Sequence, residues 1–258
     1  ALLRKAPKVQ VIAQASVGYD NFDVAACRAH QVKIGNTPGV LVNAVADLAY
    51  GLLLDTARNI VRGHRHVAEG LWAQKKAPGM GVDLYGKTLG IVGLGDIGSA
   101  IARRAQVSGM RVIYHNRHRK LNDSALGVTY AAWEELLRTS DFIVVAVTLN
   151  PSTKGLFDAA AFAAMKEGVR FVNISRGKVV DTEALVAALQ SGKVAAAGLD
   201  VTDPEPLPGD HPLLRLLNIT VTPHIASATE ETRDAMALVT AQNIVAALTG
   251  EAMPAQIR

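Results

Sequence analysis

The sequence predicts an α/β protein built on a doubly wound parallel sheet. Three observations carry that expectation. Short β-branched apolar runs alternate with helical patterns along most of the chain. Ala, Val, Leu and Gly dominate while aromatic residues reach only 5 %, which suits helices packed on a parallel sheet better than an aromatic-rich β-sandwich. A glycine-rich turn, Gly93-Leu94-Gly95-Asp96-Ile97-Gly98, joins a strand pattern to a helix pattern. The 258 residues make one large or two small domains, and 49 % hydrophobic against 19 % charged residues excludes a disordered chain.

Strands are expected at Val9–Ala13, Val32–Ile34, Thr88–Gly93, Arg111–Tyr114, Phe142–Thr148, Arg170–Ile174, Ala195–Asp200 and Ile219–Thr222. Most are continuously apolar, as strands buried on both faces should be. Asn43–Val67 reads as one long helix, with Asn43 as its cap and Asp47 in its first turn. Its apolar stripe is Val45, Leu48, Leu52, Leu53, Ile60 and Val61. Ala77–Gly86 reads as a loop. Further helices are expected at Ile97–Ser108, Ala131–Arg138, Thr182–Gln190 and Glu230–Thr249. The segment before Asn43 holds only two strands, too few for an independent parallel domain. Either it joins the C-terminal helix or an N-terminal piece is lacking.

The lone cysteine, Cys27, excludes a disulfide framework and a Cys-based zinc site. No metal is expected, and a reducing cytoplasm is the default setting. No apolar run has membrane-spanning length, and the N-terminus shows no signal-peptide core. A net charge of +4 is too small to argue for nucleic acid.

The glycine turn carries the first chemical expectation. Gly93 permits a tight turn, Gly95 lets a pyrophosphate approach the main chain, and Gly98 lets helix and strand pack closely. Asp96 and Ile97 stand at the helix N-terminus, whose N–H groups and dipole favour phosphate. The following strand should end near the adenosine ribose. NAD enzymes usually place an acid there, but this chain has His115-Asn116-Arg117-His118-Arg119-Lys120. Arginine pairs with a 2′-phosphate that a carboxylate would repel, so NADP(H) is expected ahead of NAD(H). Three polar groups then fall at strand ends: Arg176, Glu205 in a proline-stiffened loop, and His224. Together they suit reduction of a 2-oxo acid. Arg176 can hold the substrate carboxylate, His224 can give a proton to the carbonyl oxygen, and Glu205 can orient His224.

These motifs, with Ser16-Val17-Gly18-Tyr19-Asp20, Asn36-Thr37-Pro38-Gly39-Val40 and Pro223 to Thr229, span nearly the whole chain. Together they resemble the D-isomer-specific 2-hydroxyacid dehydrogenases, most of all the glyoxylate/hydroxypyruvate reductases. The resemblance implies a Rossmann coenzyme domain over 41–228. It also implies a smaller flavodoxin-like substrate domain over 1–40 and 229–258, incomplete because the family begins with further βα units. It makes Arg176, Glu205 and His224 catalytic, and brings the N–H groups of Val17 and Gly18 to the substrate carboxylate. Asp200 is implied at the nicotinamide carboxamide, and Thr148 and Ile174 along the cofactor. Ala226 and Ser227 are implied beside nicotinamide and substrate, and Asn116, Arg117 and Arg119 at the 2′-phosphate. Asp96 departs from the family, where a basic residue is common. A homodimer through 43–67 is implied, with a small 2-oxo or 2-hydroxy acid as substrate. The alternatives are another dehydrogenase of the family, such as a 2-ketogluconate reductase, or a dinucleotide-sensing module like the corepressors built on this fold.

Overall fold

The computed structural model describes residues 2–257. In chain order the elements are α1 (Leu2–Lys5), β1 (Val11–Ala13), α2 (Val24–Ala29), β2 (Lys33–Gly35), α3 (Val42–Arg58), α4 (Ile60–Ala68), β3 (Thr88–Val92), α5 (Asp96–Val107), β4 (Arg111–His115) and β5 (Thr129–Tyr130). They continue with α6 (Trp133–Thr139), β6 (Phe142–Val145), α7 (Ala159–Ala164), β7 (Val169–Asn173), α8 (Thr182–Ser191), β8 (Val194–Leu199), β9 (Ile219–Val221) and α9 (Glu230–Thr249).

The chain divides into two compact units. The larger runs from Val45 to Ala226, and the smaller comprises the residues up to Ala44 with those from Ser227 onward. In the larger unit seven strands form one parallel sheet in the order β5-β4-β3-β6-β7-β8-β9. Every residue of β3 and β6 is buried, as their unbroken apolar runs require when helices cover both faces. Leu136, Phe157, Phe162, Phe171 and Leu185 pack beside these strands. Phe157 and Phe171 meet edge-to-face with ring centres 5.0 Å apart.

In the smaller unit β1 and β2 pair in parallel. Cys27, Val32 and Ile34 form a core, and α9 packs on both strands. Asn243, fully buried on α9, donates to the Asn36 carbonyl at 3.0 Å and accepts from the Ala255 N–H at 2.9 Å. A buried amide is tolerable because both its ends are satisfied.

The expected helix over Asn43–Val67 is two helices. Asn59 sits between α3 and α4 in the left-handed region, φ 55° and ψ 41°, which asparagine tolerates better than most residues. Asp55 satisfies one N–H at the break: its Oδ1 accepts the Val61 N–H at 2.7 Å, while Oδ2 takes the Thr220 hydroxyl. Asn43 is not the cap, because α3 begins at Val42. Ile60, expected on the apolar stripe, is 56 % exposed. The strand expected to reach Thr148 ends at Val145.

Candidate active site

Ligands of open parallel sheets bind beyond the carboxyl ends of the strands, where strand order reverses. Here β4 and β5 lie on one side of β3 and β6 to β9 on the other, so the reversal lies between β3 and β6. Gly93 follows β3 with φ +100°, and a Cβ there would stand 2.5 Å from the Ala146 carbonyl oxygen. At Gly98 a Cβ would stand 2.2 Å from the Gly93 oxygen. Gly95 differs: its φ is −85°, and a Cβ would meet no protein atom within 4 Å. Neither backbone angle nor protein packing requires glycine at 95. The room beside it is what a closely approaching pyrophosphate needs. The first-turn N–H groups of α5, at Asp96, Ile97 and Gly98, have no intrahelical acceptors. This open space and donor set fit a dinucleotide phosphate, and the Asp96 side chain is exposed.

At the end of β4, Asn116 Oδ1 accepts the Leu94 N–H at 2.7 Å and so ties the strand to the glycine turn. Arg117 and His118 are exposed. Arg117 makes no ion pair among the described residues. Arg119 instead turns back, with Nε 2.7 Å from Asp123 Oδ2. An acid therefore does belong to this loop, beyond the basic run and almost wholly buried.

The remaining groups gather after β6, β7, β8 and β9. Thr148 is exposed, and its carbonyl accepts from the Thr153 hydroxyl at 2.7 Å. Ile174 is buried directly after β7. Asn173, also buried, folds the next turn: its Oδ1 accepts from the N–H and hydroxyl of Ser175, and its Nδ2 donates to the Arg176 carbonyl at 3.0 Å. Arg176 is half-buried and donates to the Ser175 carbonyl at 2.8 Å. Gly177 brings this turn against the chain after β8, because a Cβ there would lie 1.9 Å from the Thr202 oxygen.

Glu205 Oε1 accepts from His224 Nδ1 at 2.7 Å, and its Oε2 accepts the Thr202 N–H at 3.2 Å. A carboxylate only accepts, so Nδ1 carries the proton and Nε2 is the atom left for a reactant. The two side chains remain 46 % and 41 % exposed, so a reactant has access. His224 itself has φ 54°, an uncommon backbone state for a non-glycine residue. Asp200, 1 % exposed, holds that turn: Oδ1 accepts from the Thr222 hydroxyl at 2.6 Å and the Ile225 N–H at 2.9 Å, and Oδ2 from the Ala226 N–H at 2.9 Å. A buried carboxylate with three donors over-determines the turn that presents the imidazole.

The structure thus brings Glu205 and His224 into contact, joins Asp200 to the turn ending at Ala226, and sets Gly177 against the loop that carries Glu205. Val17, Gly18 and Ser227 belong to the smaller unit. There the carbonyls of Val17 and Gly18 accept from the side chains of Asn36 and Ser16, at 3.0 and 2.8 Å. Sequence reading missed the building roles of Asn173, Thr202 and Asp123. The Asn-x-Ser spacing at a strand end was an available sign of the first. Among the described residues, no group of three or more His, Cys, Asp or Glu could hold a metal ion. No helix of those residues is long and apolar enough to cross a membrane.

Residues 50–226 match the family described as D-isomer specific 2-hydroxyacid dehydrogenase, NAD binding domain. The chain is 46 % identical over 252 residues to a glyoxylate reductase of Korarchaeum cryptofilum, covering 96 % of this chain and 76 % of that protein. It is 45 % identical over 254 residues to glyoxylate/hydroxypyruvate reductase B of Escherichia coli, covering 97 % and 78 %. Among solved structures it resembles the NADPH-dependent glyoxylate/hydroxypyruvate reductase of Sinorhizobium meliloti in complex with NADP and malonate. That match has a TM-score of 0.91 and 36 % identity, covering 99 % of this chain and 80 % of the other.

Proposed function

The chain belongs to the D-isomer-specific 2-hydroxyacid dehydrogenase family, and from that premise we propose that it reduces glyoxylate and hydroxypyruvate with NADPH, the latter to the D-2-hydroxy acid. The observation that carries the reading at the site is the Glu205–His224 pair, 2.7 Å apart beyond the carboxyl ends of β8 and β9, in the same sheet whose β3 leads into the glycine turn. The reduced nicotinamide, when bound, supplies the hydride.

Arg176 holds the carboxylate of the 2-oxo acid and orients its carbonyl, because a guanidinium matches a carboxylate with paired hydrogen bonds. The imidazolium form of His224 donates its Nε2 proton to the carbonyl oxygen, which would otherwise become an alkoxide, and is left as the neutral ring with its remaining proton on Nδ1 toward Glu205. Glu205 keeps Nδ1 engaged and the ring in register. Asp200 fixes the His224 turn, and its Oδ2, which accepts a single N–H, has capacity left for the nicotinamide carboxamide. Thr148, Ile174 and Ala226 line the cofactor in this reading. Arg117 is its ligand for the 2′-phosphate, with Asn116, His118 and Arg119 around it. A homodimer through 43–67 is part of the proposal: Ile60 and Val67 of α4 are exposed, apolar side chains that a second copy would cover. Sedimentation velocity tests it. The cytoplasmic setting is likewise proposed, and the free, buried Cys27 needs no oxidising compartment.

The function is tested by initial rates of NADPH and NADH oxidation over a panel of 2-oxo acids. The highest kcat/KM is expected for NADPH with glyoxylate or hydroxypyruvate. Preference for NADH, or for a bulky 2-oxo acid, contradicts the reading. Glu205→Gln retains shape but loses the charged acceptor. A hydrogen bond to a charged group contributes about 1.5–3 kcal/mol, so kcat should fall about tenfold or more while KM for the 2-oxo acid changes little. An unchanged kcat would make Glu205 a solvated surface acid.

A further inference from the structure

The basic run after β4 contains two arginines in different circumstances. Arg117 is exposed and makes no ion pair among the described residues. Arg119 lies against a carboxylate of its own loop, with Nε 2.7 Å and Nη2 3.4 Å from the oxygens of Asp123. Asp123 is 4 % exposed and accepts a second bond, from the Tyr114 hydroxyl at 3.1 Å. That hydroxyl in turn accepts the Lys120 N–H at 2.9 Å. Tyr114 is fully buried in β4 and packs edge-on against Tyr130 of β5, with ring centres 5.5 Å apart.

These contacts make a fastener. One end is a strand of the sheet, and the other is the turn between Asn116 and Lys120. Asp123 also caps the chain return, since its carbonyl accepts from the N–H groups of Leu126 and Val128. The Arg119 guanidinium holds the Asp123 carboxyl below the usual carboxylate range, and burial pushes the Tyr114 hydroxyl up. Both groups therefore keep the protonation state that these bonds require at neutral pH.

We propose that Asp123 and Tyr114 are positioning residues for cofactor choice, fastening the turn so that Arg117, rather than Arg119, meets the adenosine 2′-phosphate. The inference rests on the NADPH reading above. Arg119 has its charge offset by the carboxylate and two of its nitrogens engaged. Arg117 has neither constraint. A phosphate monoester rewards a fully available guanidinium held at one place, and small displacements of a positioning group are costly. NADH lacks the 2′-phosphate and gains nothing from that placement.

The test measures the dissociation constants of NADPH and NADH from the fluorescence of the bound dihydronicotinamide, with no turnover needed. Asp123→Asn and Tyr114→Phe should each weaken NADPH about three- to tenfold and leave NADH within about twofold. Arg117→Ala should weaken NADPH about tenfold or more, and Arg119→Ala no more than Asp123→Asn. Tyr114→Phe removes one oxygen from a packed ring and keeps the test decisive if Asp123→Asn fails to fold. Equal weakening of both cofactors would make the network merely structural and overturn the proposal. Tighter NADPH binding by Asp123→Asn would also overturn it, since Asp123 would then be restraining Arg119 as the true ligand. If the unaltered protein binds NADPH and NADH equally, the NADPH reading fails and this proposal falls with it. A protein that prefers NADPH, with variants that keep its preference, overturns the proposal alone.

Discussion

His224→Ala is expected to lower the turnover of glyoxylate by about 10²–10⁴-fold while leaving the dissociation constant of NADPH within about twofold. The factor is what a positioned general acid typically contributes. The binding half of the expectation follows from what holds the turn. Asp200 fixes the segment through Thr222, Ile225 and the Ala226 N–H, and none of these bonds involves the imidazole. Removing the ring therefore takes away the proton donor without dismantling the turn. Glu205 loses one partner but keeps the Thr202 N–H. Single-turnover kinetics with preformed NADPH complex separate the chemical step from binding. Near-normal turnover would mean that the proton comes from another group.

Gly177→Ala is expected to lower kcat/KM at least 100-fold and to reduce thermal stability. The methyl group would meet the Thr202 oxygen at 1.9 Å, the Thr202 carbon at 2.0 Å and the Asp203 nitrogen at 2.5 Å. All three are backbone atoms, so no side-chain rotation relieves the clash. The two chain segments must part, and they are the ones that carry Arg176 and Glu205. Displacement of positioning groups by about 1 Å can cost about 100-fold in rate. Overpacking of this kind typically costs about 1–3 kcal/mol in stability. Gly209→Ala is the control, since a Cβ there meets nothing within 4 Å. A Gly177→Ala enzyme with ordinary kcat/KM would show that the close approach does not set the site's geometry.

The parallel sheet was legible because its central strands β3 and β6 are buried along their whole length and read as apolar runs. The glycine turn was legible because each glycine answers a different local demand, and α9 because its polar cap Thr229 and its terminal Gly250 bracket a long run. What escaped depends on contacts distant in sequence or on residues too few to show a period. The break at Asn59 rests on Asp55 reaching across the gap and on Thr220 from β9. The two-residue strand β5 has no pattern of its own, and α7, Ala-Ala-Ala-Phe-Ala-Ala, has no polar face to set a helical period. At the site, residue types at strand ends pointed to Arg176, Glu205 and His224, and the Glu205–His224 contact is present. Asn173 and Asp123 were not assigned roles, because a buried side chain that shapes a turn looks in sequence like any other turn residue.

The central claim is that hydride reaches C2 of a small 2-oxo acid while His224 protonates its oxygen. The most direct measurement uses NADPH carrying deuterium at the transferable C4 position, hydroxypyruvate as acceptor, and chiral analysis of the product. The account predicts D-glycerate with deuterium at C2, formed by the unaltered protein and at least 100-fold more slowly by His224→Ala. Product of the L configuration, or glycerate without deuterium at C2, would contradict it.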